Sequence, residues 1–434
     1  MKIILITPGT GSYYCGVCMR DNALAKELIR QGHDAVMLPM YLPLTLDESS
    51  VSAGLPIFYG GINVYLQQKF AFFRNAPRWL DGLLNHPALL RFVGKKSGMT
   101  GGAEIGELTH SMLMGEEGKQ ARELEKLLEW LVEHGRPDTI WLSTALLVGL
   151  GRSIQETLGI PVICSLQGED SFLDGLDEPW RSRCWEALAQ RSRDIHRFIA
   201  PSRYFADLMS PRMRLPATQL QVIPNGLDLD GFEPAAEPPA TPTIGYLARM
   251  IEGKGLGLMI DAFILLKKTG RHPTARLRCA GAMTSGDEIY VEKLKQKLTK
   301  AGCLEDVEFL PNVSKDEKIA FFNSLTIFSV PATYSEAFGL YLVEAMAAGV
   351  PVVQPRSAAF PEMIEATGGG LLCLPGSAKS LFEHWEILLA DPARAREIGR
   401  RGRAAIEAEY SMPAMARRFV AQTLEIIDAQ KVAT

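Results

Sequence analysis

The stretch T-Y-S-E-A-F-G-L-Y-L-V-E-A-M-A-A-G, residues 333–349, follows a short apolar run at 327–330 that predicts a buried strand. Apolar residues then recur at helical spacing, which predicts a helix over about residues 338–349. Glu336 lies in the loop before this helix, and Glu344 lies on the helix itself. The two carboxylates are therefore expected at one end of a strand–loop–helix unit.

The start of this helix predicts an anion site. First-turn backbone amides have no intrahelical partner and carry the positive end of the helix dipole. With the two glutamates beside them, they suit a ligand that has hydroxyls at both ends and a diphosphate in the middle. The alternative is a capped amphipathic helix with one exposed glutamate. The amides concerned are those of Gly339, Leu340 and Tyr341.

Length and charge narrow the class of protein. A chain of 434 residues with 47% hydrophobic residues is expected to form two or three domains with substantial cores. Its 46 basic and 50 acidic residues give a net charge of −4. That balance provides no electrostatic footprint for an anionic membrane or for nucleic acid, so no nucleic-acid partner is predicted.

The expected location is the cytoplasm. Residues 1–7 run from a single lysine into a Gly-rich turn, which predicts a first strand and not a signal peptide. The longest nearly apolar run, residues 139–151, is too short for a transmembrane segment. Seven scattered cysteines suggest reduced thiols and not a disulfide framework.

Two series of alternating strands and helices indicate two domains with parallel sheets covered on both faces. The first begins with strands at 2–7 and 34–40, joined by a glycine loop and a helix, without the G-x-G-x-x-G fingerprint of dinucleotide binding. No cofactor is therefore predicted. A proline-dense linker at 233–242 separates the domains, predicted as 1–232 and 243–410.

The first domain contains a long excursion, residues 41–119, that is rich in aromatic residues. Gly60-Gly61 lies between two strand-like runs and predicts a hairpin turn. Loops carry specificity and aromatic faces suit sugar rings, so the excursion is a candidate for acceptor recognition. The alternative is that these aromatics only bury the excursion against the domain.

Positive charge is predicted beside the diphosphate. Arg249 and Lys254 follow a strand at 243–247 and are five residues apart in one loop. Arginine binds phosphate in a bidentate manner and lysine adds a point charge. Together with the helix amides they could replace a divalent cation, and no D-x-D motif stands in a suitable loop. No metal site is predicted.

The E-x7-E pattern with F-G-L inside it, and V-I-P-N-G-L-D at 222–228, resemble the retaining glycosyltransferases of family 4 (glycosyl transferases group 1). The resemblance implies the GT-B fold, an α/β architecture of two Rossmann-like domains whose parallel sheets face a cleft. It also implies that the last segment, 411–434, crosses back to the first domain. The expected activity is that of a retaining hexosyltransferase that uses a nucleotide-sugar donor and an unidentified glycan, lipid or small-molecule acceptor.

The resemblance assigns roles residue by residue. Glu336 would contact sugar hydroxyls and Glu344 the ribose, with Arg249, Lys254 and Glu336 as the catalytic set. Gly16 would let the substrate approach the backbone, although the family's Gly-Gly pair is Cys15-Gly16 here.

Two motifs depart from the family pattern. The family often has H-G-x-D where this chain has Q-G-E-D, so Gln167 replaces a histidine against the donor sugar. An amide can bond a hydroxyl but cannot exchange a proton near neutral pH. The family's Gly-Gly-x-P-E is A-A-F-P-E here, and Phe360 is expected to narrow the donor pocket.

Two alternatives remain open on the sequence. Gln167 and the missing glycines would also fit a non-catalytic module that binds sugar nucleotides or glycans. Cys15 and Cys18 form C-x-x-C, which invites a redox or zinc role, but no second pair supplies further zinc ligands. Both cysteines could instead be small residues that line a tight loop.

Overall fold

The computed structural model describes residues 1–9, 16–42, 50–51, 55–70, 102–237 and 239–433. The chain divides into two compact units. The first unit comprises Met1–Gly226 and Met415–Thr434, and the second comprises Leu227–Ala414. The prediction had placed these boundaries after residues 232 and 410. Cys15 and much of the predicted excursion lie outside the described residues.

The described part of the first unit contains one six-stranded parallel sheet. Its strands are β1 Lys2–Pro8, β2 Asp34–Met40, β3 Thr139–Leu142, β4 Val162–Ser165, β5 Arg197–Ala200 and β6 Leu220–Val222. Their order in the sheet is β2-β1-β3-β4-β5-β6. The strands are nearly continuous apolar runs, because helices cover a parallel sheet on both faces. Ile3, Ile4, Leu5 and Ile6 in β1, for example, are all at most 3% exposed.

Helices connect these strands in the first unit. They are α1 Gly16–Arg30, α2 Gly61–Lys69, α3 Gly102–Leu113, α4 Ala121–Glu133, α5 Gly151–Leu158, α6 Glu169–Asp174, α7 Trp180–Arg191 and α8 Arg203–Met213. Short 3-10 turns at Gly115–Glu117, Ala145–Leu150, Ser192–Asp194 and Ala217–Gln219 complete the described connections.

The predicted hairpin at Gly60-Gly61 is wrong. Gly60 is the N-terminal capping residue of α2, with φ −46° and ψ 129°, and the helix begins at Gly61. Asn63, Val64, Gln67 and Gln68 are all buried on this helix. Their spacing is helical, but three of the four are polar, so a pattern of apolar residues could not reveal it.

The second unit repeats the architecture. Its described strands form a six-stranded parallel sheet with order β12-β11-β10-β7-β8-β9. Strands predicted from apolar runs in both units are therefore confirmed as members of parallel sheets. The strands are β7 Thr243–Leu247, β8 Arg276–Gly281, β9 Val307–Pro311, β10 Ile327–Phe328, β11 Val352–Pro355 and β12 Gly370–Cys373.

Helices on both faces enclose one large core in the second unit, with Trp385 fully buried and its Nε1 donating to Ser329 Oγ at 2.9 Å. The helices are α9 Leu256–Lys268, α10 Glu288–Ala301, α11 Lys315–Asn323, α12 Leu340–Ala347, α13 Phe360–Thr367, α14 Ala378–Ala390 and α15 Pro392–Glu409. Two 3-10 turns lie at Glu252–Lys254 and Leu304–Asp306.

The final helix, α16 Met412–Ala433, continues from the second unit into the first. Phe419 is 2% exposed, and its ring lies 4.7 Å from the ring of Trp141 on β3. Arg197 Nη1, on β5, donates to Gln422 Oε1 at 2.7 Å. The residues of α16 from Met415 onward therefore complete the core of the first unit.

Replacing Phe419 by alanine tests this role of α16. The change should lower the free energy of unfolding of the first unit by about 3–5 kcal/mol, because it removes a buried aromatic ring and leaves a cavity. Chemical denaturation followed by tryptophan fluorescence measures it. Leu424→Ala, at a position 43% exposed on the same helix, should stay within about 0.5 kcal/mol of the unsubstituted chain. Equal effects of the two changes would contradict a buried role for Phe419.

Candidate active site

A glycine turn after β7 brings two loops of the second unit into contact. Gly255 has φ +77°, and a Cβ there would lie 1.9 Å from the carbonyl oxygen of Pro331. Only glycine combines that backbone with that approach. Thr333 N also donates to Gly253 O at 2.9 Å. The turn that carries Lys254 is therefore fixed against the segment that follows β10.

This contact places Lys254 beside Glu336. Lys254 Nζ lies 2.6 Å from Glu336 Oε2, and each side chain is 16% exposed. The same ammonium lies 4.8 Å from the ring centre of Tyr334 and 5.3 Å from that of Tyr341. Burial lowers the pKa of Lys254, but the charges and hydrogen bonds of Glu336 and Tyr334 together outweigh it and hold that pKa above its ordinary value. Lys254 is thus a charged group in a mostly aromatic and acidic surrounding.

Helix α12 starts beside this pair. Gly339 has φ +86° and caps the helix, so the helix begins at Leu340, two residues later than predicted. A Cβ on Gly339 would lie 3.0 Å from Phe360 Cε1. The sequence predicted the amides of Gly339, Leu340 and Tyr341 in the first turn; Leu340 and Tyr341 lie there, and Gly339 is the capping residue. Tyr341 also donates its hydroxyl to Glu336 Oε2 at 2.6 Å, a contact that the sequence did not reveal.

Glu344 has a lysine partner of its own. Its side chain is 9% exposed, and Lys318 Nζ lies 2.7 Å from its Oε1. Lys318 is on α11, which begins with a capping box formed by Ser314 and Glu317. That box was visible in the sequence and could have positioned Lys318 on a helix, but nothing in the sequence paired it with Glu344.

Arg249 is held by a different carboxylate. Its guanidinium donates to Asp287, with Nη2 3.2 Å from Oδ1, while its side chain stays 52% exposed. Burial raises the pKa of Asp287, but hydrogen bonds from Thr284 and Arg249 outweigh it and place that pKa below its ordinary value. The structure therefore brings Lys254 and Glu336 together and pairs Arg249 with Asp287, which sequence reasoning missed.

Phe360 has a core position. It begins α13, is fully buried, and its ring packs edge-on against Tyr341 at 6.4 Å. Just before it, Ala358 has a left-handed backbone with φ +52°. Ala359 N donates to Glu336 O at 3.3 Å, so this turn also supports the backbone of Glu336.

Ala358→Gly should stabilise the second unit by about 0.5–1 kcal/mol. Alanine at this φ carries a steric cost that glycine does not, and the added freedom of glycine in the unfolded chain offsets only part of the gain. Thermal or denaturant unfolding measures the change. In Ala359→Gly, where φ is −77° and the alanine is fully buried, the same substitution should destabilise. A destabilised Ala358→Gly would show that the backbone is not strained there.

In the first unit, Gln167 closes β4. The backbone N–H groups of Gln167 and Gly168 donate to Glu169 Oε2 at 2.8 and 3.0 Å, and Gly168 has φ +111°. The side-chain Oε1 of Gln167 accepts from Asn225 Nδ2 at 3.5 Å, and Asn225 Oδ1 accepts from Arg20 Nη1 at 3.2 Å. Arg20 and Asn225 are therefore polar neighbours that sequence reasoning did not assign to Gln167.

Gly16 is the first residue of α1, and a Cβ there would meet no atom within 4 Å. Its backbone is exposed, and none of the described residues comes close enough to require glycine at this position. Cys18 is buried, and its thiol donates to Pro8 O at 2.9 Å.

Metal-binding clusters and membrane-spanning helices are both absent from the described residues. No group of three or more histidine, cysteine, aspartate or glutamate side chains is arranged to hold a metal ion within that part of the chain. None of the described helices has both the length and the apolar character needed to cross a membrane.

Two family models match the chain. Residues 231–405 match Glycosyl transferases group 1, and residues 110–230 match Glycosyltransferase Family 4. All the second-unit residues discussed above, from Arg249 to Phe360, fall within the first match, and Gln167 and Asn225 fall within the second.

Named relatives are also glycosyltransferases. A D-inositol 3-phosphate glycosyltransferase of Pseudarthrobacter chlorophenolicus is 25% identical over 81% of this chain and 87% of its own length. A GDP-mannose-dependent alpha-(1-6)-phosphatidylinositol monomannoside mannosyltransferase of Mycobacterium tuberculosis is 28% identical over 47% of this chain. That match spans 55% of the mycobacterial protein.

Solved structures share the fold. Sucrose-phosphate synthase from Thermosynechococcus elongatus superposes with a TM-score of 0.71 at 18% identity, covering 99% of this chain and 100% of that one. HepE of Anabaena, in complex with UDP, superposes with a TM-score of 0.67 at 18% identity. The match covers 98% of this chain and 100% of HepE. The predicted GT-B fold class is confirmed.

Proposed function

Residues 110–230 and 231–405 match glycosyltransferase families, and we propose that the chain transfers a sugar from a nucleoside-diphosphate sugar to an acceptor, with retention of anomeric configuration. The observation that carries the proposal is the cluster of Lys254, Glu336 and Tyr341 at the start of α12. It combines a cation, a carboxylate and free helix amides within one matched domain. Retention rests on the E-x7-E resemblance.

In the proposed reaction the diphosphate is the leaving group. Its charge grows as the bond to the sugar breaks, so fixed donors aimed at it stabilise the transition state more than the ground state. Lys254 and the amides of Gly339, Leu340 and Tyr341 supply those donors. Arg249, whose side chain is half exposed beside Asp287, is proposed to bind the outer phosphate. With this much positive charge from the chain, we propose that no divalent metal takes part.

The two glutamates hold the rest of the donor. Glu336 contacts hydroxyls of the sugar, and Glu344 the ribose hydroxyls. Both carboxylates are less than one-fifth exposed, so their hydrogen bonds to a ligand compete with little water. On the family resemblance alone, Gln167 is proposed to donate its side-chain amide to a hydroxyl of the donor sugar.

The relatives suggest which donors and acceptors to assay first. One relative is GDP-mannose-dependent and HepE is bound to UDP, so the assay begins with GDP-mannose and UDP-glucose as donors. D-inositol 3-phosphate is the first small-molecule acceptor, with lipid and glycan acceptors following. Release of nucleoside diphosphate and labelled-sugar transfer are measured with EDTA present. Activity that needs added magnesium or manganese would refute the metal-free part of the proposal.

Lys254→Ala should weaken transition-state binding by on the order of 2–5 kcal/mol, seen as a fall in kcat/KM. It removes the ammonium from the leaving group and leaves Glu336 without its cation. The matched control is Lys267→Ala, because Lys267 is 15% exposed and pairs with Asp306 at 2.7 Å outside the cluster. Unchanged kinetics in Lys254→Ala would remove Lys254 from the site.

Substitutions at Gln167 distinguish an enzyme from a non-catalytic module that only binds nucleotide sugars. If Gln167 only holds sugar, Gln167→His should be tolerated and Gln167→Ala should lose roughly 0.5–1.5 kcal/mol of donor affinity. Gln190→Ala, at an exposed position on α7, is the control. Binding without turnover in the unsubstituted chain, with turnover in Gln167→His, would favour the binding module.

A further inference from the structure

Two donors meet on one oxygen of Glu336. Lys254 Nζ and the Tyr341 hydroxyl each lie 2.6 Å from Oε2. Oε1 has no hydrogen-bond partner among the residues that the structure describes. A carboxylate held through one oxygen presents the other oxygen in a fixed direction, so Oε1 is the oxygen available to a sugar hydroxyl.

The Tyr341 hydroxyl has little freedom to do anything else. The residue is 9% exposed, and its ring lies 6.2 Å from that of Phe328 and 6.4 Å from that of Phe360. These neighbours fix the ring, and α12 fixes its Cα. Phenylalanine would fill the same space, so packing alone does not explain the hydroxyl.

A bound diphosphate would change the partners of Lys254. The ammonium lies at the start of α12, where the proposed diphosphate binds, and phosphate oxygens carry more charge than one carboxylate. As Lys254 turns toward the diphosphate, Glu336 loses one donor. Burying a carboxylate that accepts no hydrogen bond costs free energy, and its side chain is then free to rotate.

We infer that Tyr341 is a positioning residue for the sugar-binding carboxylate: its hydroxyl keeps Glu336 Oε2 in place when Lys254 moves to the diphosphate. The inference rests on the proposed function. In this arrangement, recognition of the sugar depends on the Tyr341 side chain, which touches neither the sugar nor the phosphates. Burial and the charge of Glu336 raise the pKa of Tyr341 well above its ordinary value, so the phenol keeps the proton that it donates.

The test compares two ligands that differ only by the sugar. Calorimetric affinities of UDP and UDP-glucose, or of GDP and GDP-mannose, are measured for the unsubstituted chain and for Tyr341→Phe. The nucleoside diphosphate should bind Tyr341→Phe within about twofold of the unsubstituted chain. The nucleotide sugar should lose roughly tenfold or more, the size of a hydrogen bond to a charged group.

A double-substitution cycle separates positioning from folding. In a Glu336→Gln background, Tyr341→Phe should have little further effect on nucleotide-sugar affinity, because the hydroxyl acts through that carboxylate. Tyr290→Phe is the matched control: its hydroxyl contacts Gly257 N at 3.0 Å and has no contact with Glu336. It should leave the ratio of the two affinities unchanged.

The outcomes distinguish this inference from the proposed function. If the unsubstituted chain binds neither member of either pair, the proposed function fails and the inference fails with it. If it binds both and Tyr341→Phe keeps the same ratio of affinities, only the inference is overturned. An equal loss for nucleoside diphosphate and nucleotide sugar would also overturn it, since that pattern shows general damage to the site.

Discussion

The ion pair of Lys254 and Glu336 depends on one backbone contact, the approach of Gly255 to the carbonyl of Pro331. That approach joins the loop after β7 to the loop after β10, two neighbouring strands of the sheet. Parallel strands bring their carboxyl ends to one edge, which is where α/β proteins build their sites. At this edge of the sheet the two loops are so close that any side chain larger than a hydrogen atom at residue 255 would push them apart. Lys254 and Glu336 would then separate.

The second unit contains two lysine–glutamate pairs that are largely withdrawn from water, Lys254–Glu336 and Lys318–Glu344. Such pairs contribute little net stability, because desolvation of both charges offsets most of their attraction. They fit the proposed function instead, in which both glutamates bind the donor. A polar ligand that replaces one partner meets a charge that is already desolvated and oriented. Binding then does not include the free-energy cost of reorienting that charged side chain.

The sequence predicted the fold better than the site. Buried parallel strands are apolar runs, so β2 could be placed at Asp34–Met40 to the residue. The start of α12 was predicted too early, because apolar periodicity continues through Gly339, whose left-handed backbone excludes it from the helix. Asp287 and Lys318 were missed for another reason. They lie 38 and 26 residues from their partners Arg249 and Glu344, and local patterns carry no information about which distant charges meet. Tyr341 is only five residues from Glu336, but apolar periodicity does not show which group its hydroxyl contacts.

Gln167 shows how a departure from a family pattern acquires physical meaning from its neighbours. Alone, glutamine in place of histidine removes a titratable ring. In the structure, Asn225 donates to Gln167 Oε1 and is itself held by Arg20, which is paired with Asp21. The carbonyl side of the amide is therefore engaged, while Nε2 donates to no group among the residues that the structure describes. A neutral imidazole has one donor and one acceptor, whose positions exchange with the tautomer. The glutamine thus offers a fixed donor at every pH near neutrality, which suits a hydroxyl acceptor that needs no proton exchanged.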